Sequence, residues 1–140
     1  MAQTARKPRP GENMKLVEAM QYRLPLAGLV SILHRGSGLL MFVLLPFVIW
    51  MFDKSVTSEI SYAEFTSVFR AAGYGWFVKL VALALIWAYL HHLIAGVRHL
   101  WMDVSHAAVN KEFGQSSAIA TLAISILLTV ALGAKLFGLY

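Results

Sequence analysis

The stretch YLHHLIAGVRHLWMD, from Tyr89 to Asp103, places three histidines and an arginine within an apolar run. Polar groups of this kind are costly inside a bilayer, so they are expected to be retained for a function. On an α-helix, His92, Gly96 and His99 share one face, because steps of four and three residues make close to two turns. An imidazole that can reach iron, a residue without a side chain and a second polar group roughly 10 Å further along are typical of a haem contact.

A plainer interpretation of the same histidines is that they only hydrogen-bond to neighbouring helices. His91 points roughly a quarter turn away from the face that holds His92. Three histidines and Arg98 in so short a run favour a cofactor site over packing alone.

The composition indicates a small integral membrane protein. Of 140 residues, 59% are hydrophobic and only 14% are charged, which is too apolar for a soluble domain of this size. The chain has no cysteine, which excludes disulfides, thiolate iron–sulfur ligation and a cysteine zinc site within it. The formal charge of +5 could suggest nucleic acid, but the basic residues lie mostly near the ends of apolar segments, so no nucleic-acid partner is expected.

The hydropathy pattern predicts an all-α membrane protein with three transmembrane helices. We expect residues 1–24 to form a polar, basic segment that stays in the cytoplasm, and residues 25–140 to form one transmembrane domain. The helices are predicted at about 25–52, 75–102 and 116–138. The connection at 53–74 carries net negative charge, as an outer loop should, and contains a short predicted helix with a capping box at Ser61 and Glu64. Ser116 or Ser117 is expected to cap the third span.

A second chemical stretch, SILHRGSG, begins at Ser31 in the cytoplasmic part of the first span. Ser31, His34 and Arg35 lie on one side of a helix, and Gly36 and Gly38 leave room beside them. A hydroxyl, an imidazole and a guanidinium can bond a quinone carbonyl, and the cations can pair with carboxylates such as haem propionates. The alternative is that His34 and Arg35 are interface anchors that reach lipid phosphates.

These two stretches together resemble the family of large cytochrome b membrane anchor subunits of succinate dehydrogenase. The similarity extends from about Arg9 to the end of the chain, although the serine-proline-histidine that often follows the arginine-proline pair is missing. The matching residues are Arg23, Pro25, Ser31-Ile32-Leu33-His34-Arg35, Ser37-Gly38, His92, Gly96-Val97-Arg98-His99 and Asp103.

The resemblance implies half of a heterodimeric helical bundle, completed by a second small membrane anchor subunit. It implies a multi-pass protein of the bacterial inner membrane that anchors a flavoprotein subunit and an iron–sulfur subunit and helps to pass electrons from succinate to a quinone. Haem b would be shared with the second anchor subunit. FAD and the iron–sulfur clusters would lie on the partner subunits only, so no residue for succinate oxidation is expected in this chain.

Matched to the family residue by residue, His92 resembles the axial ligand of the haem iron, with the second ligand supplied by the other anchor subunit. Ser31 and Arg35 resemble quinone-binding residues. Arg98 fits the surroundings of the haem, and Asp103 the orientation of the helix end. The expected haem contacts are His34, Arg35, Gly96 and His99.

Other functions would fit parts of this pattern. Fumarate reductase anchors share the architecture, and a haem-free structural anchor would need the three spans but not His92 beside Gly96. A proton or ion pathway should offer carboxylates within the membrane, and no Asp or Glu lies inside a predicted span. A stand-alone dihaem cytochrome would need more histidine-bearing helices.

Overall fold

The structure is a computed structural model that describes residues 24–105 and 108–140, so the predicted amino-terminal segment lies almost wholly outside the described residues. Five helices follow in order: α1 (Leu26–Val43), α2 (Leu45–Val56), α3 (Glu59–Arg70), α4 (Gly75–Val104) and α5 (Lys111–Leu136). By length and composition, α1, α4 and α5 can each cross a membrane. The prediction of an all-α membrane protein with three spanning helices is therefore confirmed.

The first predicted span, 25–52, is divided in the structure. Its regular part ends at Val43, Leu44 leaves helical geometry with φ −88° and ψ 5°, and α2 begins at Leu45. The cause is Pro46, which lacks the N–H that would bond the carbonyl four residues earlier and whose ring crowds that turn.

Two helix starts also differ from the sequence-based prediction. The capping box of α3 is built by Ser58 and Ser61 rather than Ser61 and Glu64: the Ser61 N–H donates to Ser58 Oγ at 3.1 Å and the Ser58 N–H donates to Ser61 Oγ at 2.9 Å. Helix α5 begins earlier than predicted, because Asn110 accepts a 2.8 Å hydrogen bond from the N–H of Phe113. In each case a residue that precedes the predicted cap, Ser58 or Asn110, accepts a hydrogen bond from a backbone N–H of the first turn, so the helix begins there.

Helix α4 lies at the centre of the bundle. It packs against α1 and α5, which also contact each other. Val30, Ala95 and Ala118, one from each helix, form the buried core with Leu122 packed against them. Small side chains let the helices approach closely, as in other membrane bundles.

We call the end of the bundle that holds the start of α1, the end of α4 and the start of α5 the inner end. The opposite end, which holds α3, the start of α4 and the end of α5, is the outer end. There α3 packs against α2 and α4. Lys54 donates a 2.8 Å hydrogen bond to Glu64, which raises the pKa of the lysine. On the alkaline side, Lys54 therefore keeps its charge, and with it this ion pair, to a higher pH than an unpaired lysine would.

Candidate functional site

Helices α1 and α4 bring three imidazole rings together. The rings of His34 and His92 are stacked, with centroids 4.2 Å apart and planes inclined by 24°. The His99 ring is also close, with its centroid 5.1 Å from that of His34 and the two planes inclined by 39°. The two histidine-bearing stretches, one on each helix, are thus in direct contact.

The hydrogen bonds of His92 indicate which of its ring nitrogens carries the hydrogen. Its Nδ1 lies 3.0 Å from the backbone carbonyl oxygen of His34 and 3.3 Å from Ser37 Oγ, which itself donates to the same carbonyl at 2.8 Å. A carbonyl oxygen can only accept, so the hydrogen of the neutral ring is on Nδ1. Nε2 is then the nitrogen with a free lone pair, which is the arrangement found for histidines that ligate metals.

Gly38 makes room for the His92 ring, and Gly96 lies beside the His34 ring. A Cβ atom at Gly38 would lie 3.0 Å from Cε1 of His92, closer than side chains normally tolerate. A Cβ atom at Gly96 would lie 3.5 Å from Nε2 of His34, an ordinary contact distance. In this structure Gly96 therefore faces the His34 ring, and its predicted contact with a macrocycle stays a prediction. A Cβ atom at Gly36 would meet no atom within 4 Å in the part of the chain that the structure describes.

The two predicted quinone residues lie on α1 beside this cluster. Ser31 is half-buried and Arg35 is exposed. A cavity of about 510 Å³ opens at the inner end, between the first turn of α1 and the segment from Val109 to Gln115, and neither residue lines it. Among the described residues, no three His, Cys, Asp or Glu side chains converge to hold a single metal ion.

His91 is directed away from the cluster, into the protein. Its side chain is completely buried, its Nδ1 lies 3.3 Å from Ser125 Oγ on α5, and its ring stacks on Trp87 with centroids 5.4 Å apart. Its Nε2 is buried without a hydrogen bond of ordinary geometry among the described residues. In this environment His91 packs between α4 and α5.

Arg98 is also turned inward, with 7% of its surface exposed. Its Nε donates to Ser117 Oγ at 2.9 Å and its Nη2 to the carbonyl oxygen of Gly114 at 3.2 Å. Arg98 therefore joins α4 to α5 and does not approach the histidine cluster through these bonds. Asp103 is exposed near the end of α4.

Two features were not predicted from the sequence: the part played by Ser37 and the bond between Arg98 and Ser117. Ser37 carried a usable signal, since a serine three residues after His34 lies on the same helix face. Ser117 was expected to be a helix cap, and only the earlier start of α5 leaves its hydroxyl free to accept from Arg98.

Comparison with known proteins shows to which family this chain belongs. The model of the succinate dehydrogenase/fumarate reductase transmembrane subunits matches residues 9–132, which include both histidine-bearing stretches. The chain belongs to this family.

Relatives of this transmembrane subunit have similar lengths. The succinate dehydrogenase cytochrome b556 subunit of Paracoccus denitrificans is 32% identical over 109 residues, covering 78% of this chain and 80% of the relative. The subunit of the same name from Coxiella burnetii is 27% identical over 117 residues, covering 84% and 90% respectively. That of Rickettsia felis is 27% identical over 111 residues, covering 79% and 82%. With its three spanning helices, the family member described here is a multi-pass protein of the bacterial inner membrane.

Proposed function

We propose that this chain is the membrane-anchor subunit of a succinate:quinone oxidoreductase, where it binds haem b through His92 and helps to form the quinone-reduction site through Ser31 and Arg35. The observation that carries the proposal is the hydrogen bond between His92 Nδ1 and the His34 carbonyl. It leaves Nε2 of a histidine inside a spanning helix as a ready metal ligand. The cytochrome b556 names of the relatives support the same cofactor.

The residues present fit a haem in other respects. His34 and Arg35 offer a ring nitrogen and a guanidinium that can bond the propionates, and His99 adds a third imidazole to the same group. Gly96 keeps that part of α4 narrow. A haem with two imidazole ligands supplies one-electron transfer without an open position for oxygen. In this chain His92 orients its ring through the α1 backbone, so its direction is set before the group binds.

Quinone reduction requires a hydrogen-bond donor and a positive charge near the carbonyl oxygens. Ser31 donates a hydrogen bond to one quinone carbonyl, and Arg35 stabilises the negative charge that develops as electrons arrive. Both residues lie near the inner end, where protons can be drawn from the adjacent aqueous phase. Arg35 is exposed in this chain, so its guanidinium is available to a substrate or partner.

The other components belong to partner subunits in this proposal. A second small anchor subunit supplies the other haem ligand, and an iron–sulfur subunit and a flavoprotein subunit carry the clusters and FAD. Succinate oxidation occurs on the flavoprotein subunit, so this chain is an enzyme subunit without the dehydrogenation site.

The first experiment is a dithionite-reduced minus oxidised visible spectrum of the purified complex, recorded for His92→Leu and for His91→Leu. We expect His92→Leu to lose or shift the low-spin b-type signal, because the ligand is gone. His91→Leu is the matched control, since it removes the neighbouring, buried histidine of the same helix. A normal spectrum in His92→Leu, or a loss confined to His91→Leu, would refute the ligand assignment.

The quinone role is tested with Ser31→Ala, assayed for succinate oxidation coupled either to a quinone or to a soluble dye. We expect only the quinone-coupled rate to fall, because dehydrogenation takes place elsewhere. Ser116→Ala, an exposed serine of α5, serves as the control. Unchanged quinone reduction in Ser31→Ala would exclude the role.

A fumarate reductase anchor is the second candidate, because the family description names both enzymes. The relatives named as succinate dehydrogenase subunits favour the first. If the intact complex shows no b-type signal, the chain would be a structural anchor without haem.

A further inference from the structure

Three cations converge at the outer end, far from the histidine cluster. Arg70 at the end of α3, Lys79 near the start of α4 and Lys135 near the end of α5 line one pocket of about 400 Å³. Because each comes from a different helix, the pocket exists only in the folded bundle. Its charged side chains are all positive.

The rest of the pocket wall is largely apolar. Phe65 and Phe69 of α3 contribute to it, together with Phe137 just after α5. The Lys79 ammonium lies 5.6 Å from the ring centroid of Phe137, a cation–π distance that holds the charge against the wall. The pocket therefore combines positive charge with surface suited to hydrocarbon.

No carboxylate of residues 24–105 or 108–140 forms an ion pair with these cations. Within the described part of the chain, the ion pair that forms joins Lys54 to Glu64, and neither residue lines the pocket. The charge pattern assigns this end to the outer side of the membrane, where lysine and arginine are disfavoured. Three unpaired cations converging there call for an anion from outside the chain.

We propose that this pocket binds the headgroup of an anionic phospholipid of the outer leaflet. The phosphate is bound by the cations Arg70, Lys79 and Lys135, while the glycerol and the first acyl carbons contact the phenylalanine wall. A free phosphate ion would interact with the three cations but would make no contact with the apolar wall. A zwitterionic lipid carries a choline or ethanolamine cation that three positive side chains repel, so the site selects lipids with net negative charge.

The test is native mass spectrometry of the intact, detergent-purified complex after exposure to equal amounts of phosphatidylglycerol and phosphatidylcholine. We expect preferential retention of phosphatidylglycerol. In Lys79→Gln, Lys135→Gln and Arg70→Gln, its affinity should fall by about fivefold for each cation removed, the usual contribution of one basic residue near an anionic lipid surface. Copurification of all subunits reports that each variant assembles.

Two matched variants sharpen the result. Lys111→Gln removes one exposed lysine at the inner end and should leave retention unchanged. Lys79→Arg keeps the charge and should retain the lipid. Equal retention in the outer variants and in Lys111→Gln, or equal binding of phosphatidylcholine, would overturn the proposal. Displacement of the lipid by millimolar inorganic phosphate would also overturn it, in favour of a soluble anion site.

Discussion

The position of His92 depends on a residue with no side chain. A methyl group at Gly38 would approach the His92 ring to 3.0 Å, and that ring is already stacked against His34. The ring cannot move without changing its hydrogen bond to the α1 backbone. Gly38 therefore acts as a spacer for the proposed ligand.

We predict that Gly38→Ala displaces the His92 ring by a few tenths of an ångström or more and alters the low-spin haem spectrum of the complex, because axial-ligand geometry sets that spectrum. The matched change is Gly36→Ala on the same helix, where an added Cβ meets nothing within 4 Å among the described residues. An unaltered spectrum in Gly38→Ala would show that the ring has space to spare.

At the scale of helices, the contact between α4 and α5 depends on a buried cation bound by neutral acceptors. Nε of Arg98 donates to the hydroxyl of Ser117, and Nη2 donates to a backbone carbonyl. A buried donor that loses its acceptor is costly, and more so when it is charged.

We predict that Ser117→Ala lowers the unfolding free energy of the complex by about 1–3 kcal/mol, because it leaves the Nε–H of Arg98 without an acceptor. The measurement is the Tm of the detergent-solubilised complex. Ser116→Ala removes the adjacent, exposed hydroxyl and is expected to leave the Tm unchanged. Equal Tm values for the two variants would mean that Arg98 finds another partner.

Hydropathy and residue spacing could predict that α1, α4 and α5 exist and which ends of them meet. They could not predict the break at Leu44, because a proline such as Pro46 can bend a helix without ending it. Nor could they choose between Asn110 and the later serines as the cap of α5, since both residue types are competent and only packing decides. The bond between the His34 backbone and His92 could not be predicted either, because it depends on how two helices are rotated about their axes.

For the whole molecule, the long apolar helices are mostly uncovered within this chain. In the most hydrophobic windows of α1, α4 and α5, 11%, 28% and 22% of the residues are buried. Lipid and partner subunits must cover the remainder, in line with a helical bundle that is completed by another chain.

We predict that this chain, produced without the second anchor subunit, does not give the low-spin b-type spectrum, because it supplies one of the two proposed ligands. Coexpression with that subunit should restore the signal. The measurement is the reduced minus oxidised spectrum of membranes from both strains. A low-spin signal from this chain alone would assign the second ligand to His34 or His99.

The carbonyl that accepts from His92 belongs to the peptide group between His34 and Arg35. On the proposed assignment, one amide unit holds the iron ligand through its oxygen and carries the quinone-binding arginine on its nitrogen side. A stronger acceptor makes an imidazole more basic and lowers the reduction potential of the metal it ligates. A displacement of this one peptide group, for instance through Arg35, would thus alter both the direction of the proposed ligand and the driving force for electron transfer.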